Sequence, residues 1–162
     1  MSPWNVDVAP LGAELKHIDG PPHLHPAWLP VLGRVELFTS LSKRQLRKVG
    51  NLAELRRFKK GAVIVREGAR GDAFYIILDG NADVTTASGH KHRLTAGDSF
   101  GELALLDGAP RAATVTAADA VATAAIPRIA FQQLLKDEPS IGVGLAHGLV
   151  AIIRDMQADE AK

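Results

Sequence analysis

The chain has 162 residues, 46% of them apolar, a length for one domain with an appendage and enough apolar surface for a real core. Its formal net charge of +1 gives no global attraction to nucleic acid or to a membrane surface. The absence of cysteine excludes disulfides, thiolate metal sites and cysteine nucleophiles, and leaves the redox compartment open. The opening residues, Met1 to Asp7, lack a basic region followed by an apolar run. No stretch approaches the roughly 18 uninterrupted apolar residues of a membrane span. A soluble, cytoplasmic protein is the expectation.

Residues 1 to about 30 carry Pro3, Pro10, Pro21, Pro22, Pro26 and Pro30. Proline fixes φ and removes a donor, so this segment reads as extended or looped, with Trp4, Leu24, Trp28 and Leu29 available to pack onto a body. A helix follows. Ser42 and Gln45 have the spacing of a capping box, and Leu41, Leu46 and Val49 repeat near the helical period.

From Leu52 to Ile126 the pattern changes to short runs: Leu52–Phe58, Ala62–Val65, Phe74–Leu78, Ala82–Ala87, Lys91–Thr95, Ala113–Ala117 and Val121–Ile126. Turn residues bound each run, among them Gly61, Gly68, Gly71, Asp79-Gly80, Ser88-Gly89 and Gly97-Asp98. Seven or eight short strands at this spacing predict an antiparallel sandwich or barrel. The break in the β pattern is Glu102–Leu106, which reads as a single helical turn. Pro127 suits a first helical position, with Ile129 to Lys136 following. Pro139 then forces a boundary and starts a last helix, where Ile141, Leu145, Leu149, Ile152 and Met156 form an apolar stripe. Gly142, Gly144 and Gly148 each weaken that helix by about 1 kcal/mol relative to alanine, so it reads as held by packing or mobile; the Gly144/Gly148 spacing also allows close helix approach, a weak motif outside membranes. The stripe reads first as a core face, and second as a lid or the seam of a homodimer through the C-terminal helix.

The segment from Phe100 to Val115 holds the densest chemistry. It sets an acid, Glu102, nine residues before a base, Arg111. Amides at the start of a short helix attract anions, and Gly101 lets a ligand approach the backbone. Arg111 offers a fork of donors suited to phosphate oxygens, and Glu102 an acceptor for a sugar hydroxyl. The set fits a phosphorylated sugar with a free hydroxyl.

Phe100-Gly101-Glu102-Leu103-Ala104, followed by Pro110-Arg111-Ala112-Ala113-Thr114-Val115, resembles the phosphate-binding cassette of the cyclic nucleotide-binding domain family. Gly68, Gly71 to Tyr75, Ile76 to Gly80 and Gly97 to Phe100 match the strands and turns that precede that cassette. The resemblance covers roughly residues 33–158. It implies an eight-stranded antiparallel, jelly-roll-like β-roll, mainly β, with N-terminal helices, a short cassette helix and two C-terminal helices. The domain is then 33–158, with the roll over about 52–126, the helices over about 127–158, and a proline-rich extension over 1–32.

By resemblance, Glu102 binds the ribose 2′-hydroxyl and Arg111 the cyclic phosphate. The amides of Ala104 and Ala112 add hydrogen bonds, and Gly101 and Leu103 shape the same wall. Asp72 orients the arginine, Leu105 senses closure of the cassette, and Phe100 supports it. Relatives selective for cyclic GMP tend to carry threonine at the position of Ala112, so cyclic AMP is favoured over cyclic GMP. The base is usually covered from the last helix, and no aromatic residue follows Phe131.

Other readings of these residues are blander. Glu102 and Arg111 alone would make a surface ion pair worth at most about 1 kcal/mol. Gly97 to Gly101 also spells a hydrolase nucleophile elbow around Ser99, but an elbow needs a parallel α/β sheet. His90 and His92 share a strand face and suggest a metal pair, yet Ala96 and Gly97 stand where a cupin glutamate would follow. They read as exposed histidines, and His23 and His25 need no ligand. The basic residues between Lys43 and Lys60 read as a solvated face rather than a nucleic-acid surface. The expectation is therefore a non-catalytic sensor or regulatory module with no metal or cofactor. It binds cyclic AMP and repacks its C-terminal helices for a protein effector. The alternative is an interaction scaffold with a silent pocket.

Overall fold

The computed structural model describes residues 28–161. The expectations for Trp4, His23, Leu24, His25 and the side chain of Trp28 lie outside the described residues. Helix α1 covers Trp28–Gly33, a 3₁₀ turn covers Glu36–Phe38, and α2 covers Lys43–Gly50. The looped reading of the prolines stops short at α1. Pro30 sits in its first turn, where a missing N–H removes no helical bond, and Val31 and Leu32 are buried in the core. The capping box of α2 forms, with the Gln45 amide donating to Ser42 Oγ (3.1 Å) and the Ser42 amide to Gln45 Oε1 (2.9 Å).

Eight strands follow: β1 (Glu54–Phe58), β2 (Val63–Val65), β3 (Ala73–Asp79), β4 (Ala82–Thr85), β5 (Lys91–Leu94), β6 (Ser99–Phe100), β7 (Thr114–Ala117) and β8 (Val121–Pro127). They form two four-stranded sheets, ordered β1-β8-β3-β6 and β2-β7-β4-β5, and all pairs are antiparallel. The cassette helix α3 (Ala104–Asp107) interrupts the strands, and α4 (Arg128–Asp137) and α5 (Pro139–Glu160) close the chain. Pro127 is therefore the last residue of β8 and the N-cap of α4, with an extended backbone, rather than the first helical residue.

The central strands β3 and β8 of the first sheet are buried on both faces, which explains the near-continuous apolar run of β3. Phe74, Ile76 and Leu78 face a helical core containing Leu32, Leu37, Phe38, Leu105, Phe131 and Ile141. Ala73, Tyr75 and Ile77 face the interior of the roll, against Val84, Val115 and Ala125. Phe38 joins the helical layer to the sheet, meeting Phe74 edge-on at 6.0 Å and Phe131 at 6.1 Å.

Helix α5 packs on the 3₁₀ turn through its glycines. A Cβ at Gly148 would lie 2.2 Å from the Leu37 carbonyl oxygen, and one at Gly144 2.6 Å from Leu41 Cδ2. The glycines that weaken this helix intrinsically thus allow its backbone to approach the turn. The apolar stripe divides along its length. Ile141 and Leu145 are buried, Leu149 and Ile152 are partly buried against the core, and Met156 is exposed. Lys48 of α2 bonds Glu138 at the α4–α5 junction, and Gln45 Nε2 reaches Ser140 Oγ at 3.3 Å. Among the described residues no helix is long and apolar enough to cross a membrane.

Candidate functional site

A cleft of about 470 Å³ opens between β6 and β7, lined by Ser99 to Ala104, Asp107 and Ala109 to Ala112. Its volume lies in the range of small-molecule pockets, about 300–1,000 Å³. The structure brings Phe100, Gly101, Glu102, Leu103, Ala104, Arg111 and Ala112 together on this wall. Asp72 and Leu105 are not among the lining residues.

Two local devices hold the wall. Gly101 has φ +84°, a left-handed conformation that side chains resist. A Cβ there would also lie 2.2 Å from Arg111 Nη1, so glycine admits the arginine as well as the turn. On the other flank the backbone of Arg111 is laced to the β2–β3 loop. Its amide donates to the Ala69 carbonyl and its carbonyl accepts from the Gly68 amide, both at 2.8 Å.

The Arg111 side chain is only 6% exposed. Its Nη2 donates to the Ala73 carbonyl at 2.6 Å and to Asp72 Oδ1 at 3.3 Å. Nε and Nη1 are buried with no hydrogen-bond partner. A buried cationic fork with two unmet donors is costly unless an anion completes it. Asp72 does touch the arginine, but its side chain is 71% exposed, so solvent screens the pair. The closer partner is a backbone carbonyl, which no side-chain motif announces.

Glu102 is half-buried, and burial pushes its carboxyl above the usual carboxylate range. Leu103 is 47% exposed at the rim, and Ala112 is exposed beside Arg111. The Ala104 amide, read as free for a phosphate, donates to the Gly101 carbonyl at 3.1 Å, closing the turn into α3. Among the described residues the amides of Glu102, Leu103 and Ala112 meet no acceptor. Leu105 is fully buried in the helical core, so the cassette has one foot in the cleft and one among the helices.

Arg128 was not singled out from the sequence. Its amide donates to the Asp72 carbonyl at 2.9 Å, and its guanidinium abuts Gly108, where a Cβ would lie 2.8 Å from Nε. The first residue of α4 thus rests on the end of the cassette helix. No residue of α4 or α5 lines the cleft. The far end of α5 nonetheless approaches that side of the molecule. Glu36 hydrogen-bonds Asp155 and feels the charge of Glu102, and with its burial these push its carboxyl up to about 7.

Ser99 lies in a two-residue edge strand paired with β3, in an antiparallel sheet. His90 and His92 are exposed, and among the described residues no three metal-ligating side chains gather.

Comparison with known proteins places this geometry. The family described as "Cyclic nucleotide-binding domain" matches residues 55–138. A cAMP-dependent protein kinase regulatory subunit of Mycosarcoma maydis is 46% identical over 90 residues, 53% of this chain and 17% of that protein. A cyclic nucleotide-gated potassium channel of Rhizobium etli is 37% identical over 111 residues, 68% of this chain and 31% of that one. The chain thus spans less than a third of the length of these curated relatives. Among solved structures, the N-terminal domain of a transcriptional regulator from Streptomyces coelicolor A3(2) superposes with a TM-score of 0.68 at 26% identity, covering 80% of this chain and 94% of that one. The sensor domain of the transcriptional regulator DNR from Pseudomonas aeruginosa shares the fold, with a TM-score of 0.61 at 23% identity over 78% of this chain and 90% of that one. The chain belongs to the cyclic nucleotide-binding domain family.

Proposed function

We propose that the chain is a non-catalytic regulatory module that binds cyclic AMP at the 99–112 cleft. The observation that carries this reading is the buried Arg111 guanidinium, whose Nε and Nη1 meet no partner. The cyclic phosphate completes that fork, beside the amides of Ala112 and, once its turn bond to Gly101 is shared, Ala104. Glu102 accepts from the ribose 2′-hydroxyl, Gly101 and Leu103 shape the wall, and Phe100 backs it. Asp72 steadies the arginine from the solvent side. Ala112 offers no hydroxyl to a guanine, which favours cyclic AMP over cyclic GMP.

Binding tightens the cassette, shifts Leu105 within the helical core, and repacks α4 and α5 over the base. Ligand drives this only through its differential affinity for the two arrangements, a coupling of about 1–3 kcal/mol in typical switches. We take the folded unit to run from α1 to about residue 158, and place it in the cytoplasm, where a freely diffusing nucleotide is met. The output is a protein effector, with α5 also able to pair with a second copy through the exposed Val143, Val150, Ile153 and Met156.

A ligand-free interaction scaffold is the second reading, favoured by a cleft that α5 does not line. Titration calorimetry with cyclic AMP and cyclic GMP, with light scattering in parallel, separates the two. The proposal expects one nucleotide per chain with cyclic AMP tighter. No heat with either nucleotide, together with self-association, supports the scaffold instead.

A further inference from the structure

Both hydrogen bonds of the Arg111 guanidinium land on one nitrogen, Nη2. The two N–H bonds of Nη2 lie in the plane of the group and hold it at that end, one of them to a carboxylate that solvent screens. β3 supplies a surface for the rest of the plane. Tyr75 lies two residues beyond Ala73 on the same face of the strand, and is 3% exposed. Arg111 Cζ sits 5.9 Å from the centre of its ring, within reach of a cation–π attraction.

The ring is itself held on several sides. Phe100 stacks on it at 5.1 Å with 14° between the planes, and Phe58 meets it edge-on at 6.4 Å. Its hydroxyl accepts from Arg56 Nη1 at 3.0 Å, and Arg56 is in turn fixed by Glu54 Oε2, 3.0 Å from Nη2. A line of contacts therefore runs from the surface of β1, through Glu54, Arg56 and the Tyr75 hydroxyl, to the ring under Arg111.

We infer that Tyr75 is a positioning residue that sets the plane of the Arg111 guanidinium, and that Arg56, through the Tyr75 hydroxyl, tunes the affinity of the anion site from β1. The inference rests on the reading of Arg111 as the phosphate partner. Arg56 acts without touching the cleft, whose lining does not include it.

The test uses the full chain with cyclic AMP as the probe. Tyr75→Leu removes the π-face, and its affinity falls by about tenfold. Tyr75→Phe keeps the ring, and Arg56→Gln keeps the core; each weakens binding by about threefold, while the double variant is no weaker than either. A purely structural role would lower the melting temperature and spare the affinity, so each variant's melting curve is recorded and its affinity is measured well below the transition. The Arg111 Nη1 and Nη2 signals, followed by NMR on nitrogen-labelled arginine, stay distinct under hindered rotation in the wild type and Tyr75→Phe and average in Tyr75→Leu.

A folded Tyr75→Leu with wild-type affinity and an unchanged Arg111 signal overturns the inference. If Tyr75→Leu does not fold, the Arg56→Gln and Tyr75→Phe cycle decides, and additive effects overturn the link through the hydroxyl. If the wild type binds no nucleotide, the proposed function fails. The NMR comparison then still decides the positioning role, which is overturned if the Arg111 signals of a folded Tyr75→Leu do not average.

Discussion

Two alanine substitutions in one helix should move stability in opposite directions. In α5, Gly142 has nothing within 4 Å of a built Cβ, whereas at Gly148 that atom would stand 2.2 Å from the Leu37 carbonyl oxygen. Carbon and oxygen sit comfortably at about 3.3 Å, so α5 must retreat by roughly 1 Å from the 3₁₀ turn. A gap of that order forfeits about a quarter to a half of the dispersion attraction of the atoms along the seam. Overpacking of this kind costs about 1–3 kcal/mol. Alanine gains about 1 kcal/mol over glycine in a helix interior at either site. Gly142→Ala should therefore stabilise by up to about 1 kcal/mol, and Gly148→Ala should be neutral to destabilised by about 2 kcal/mol. Urea unfolding followed by circular dichroism reads both midpoints, and the difference between them isolates the contact because the propensity gain cancels. Equal stabilisation by the two substitutions would refute the close approach of α5 to Leu37.

Three further outcomes follow from the carboxylates and the cassette. Burial raises the Glu102 pKa, so the stability this group contributes is full below its ordinary value of 4.5 and is lost as pH rises through the folded value. Glu102→Gln should melt higher than the wild type at neutral pH and lose that advantage in acid, yet bind cyclic AMP about tenfold more weakly; equal melting at neutral pH counts against the buried charge. Glu36 should titrate at about 7, through its hydrogen bond to Asp155 first and its burial second. The stability it contributes is complete below 4.5 and lost as pH rises through about 7. Carboxyl-carbon NMR checks this, since Asp155→Ala should return Glu36 towards the ordinary value, and a wild-type midpoint near 4.5 would refute the pairing. Ala112→Thr should raise the affinity for cyclic GMP relative to cyclic AMP in competition calorimetry, and an unchanged ratio removes position 112 from base choice.

Much of this architecture was legible because its signals are local. Glycine and aspartate turns bracket short apolar runs, and the acid, glycines, proline and arginine of the cassette lie within one continuous segment. Ser99–Phe100 was too short to show a period, and it becomes a strand only by pairing with Tyr75 and Ile76. Pro30 hid α1 within a segment read as looped, and Pro127 set one helix start a residue early, since proline fits a first helical turn and the end of a strand equally well. The spacing of Gly144 and Gly148 allowed a close approach but could not name its partner, because the Leu37 carbonyl is distant in sequence. For the same reason Ala73, whose carbonyl holds Arg111, could not be chosen over the visible carboxylate of Asp72. Asp72 does reach the arginine, but from solvent. The cassette could be read as a ligand wall; the contacts that orient it come from strands and helices folded against it.

The central claim is that the two unpartnered donors of Arg111 await a cyclic phosphate. Parallel calorimetric titrations of the wild type and Arg111→Ala with cyclic AMP test it most directly, with melting curves to show that both are folded. The account predicts saturable binding by the wild type and an affinity lower by about 2–5 kcal/mol in the variant. A folded Arg111→Ala that binds cyclic AMP as tightly as the wild type would contradict it.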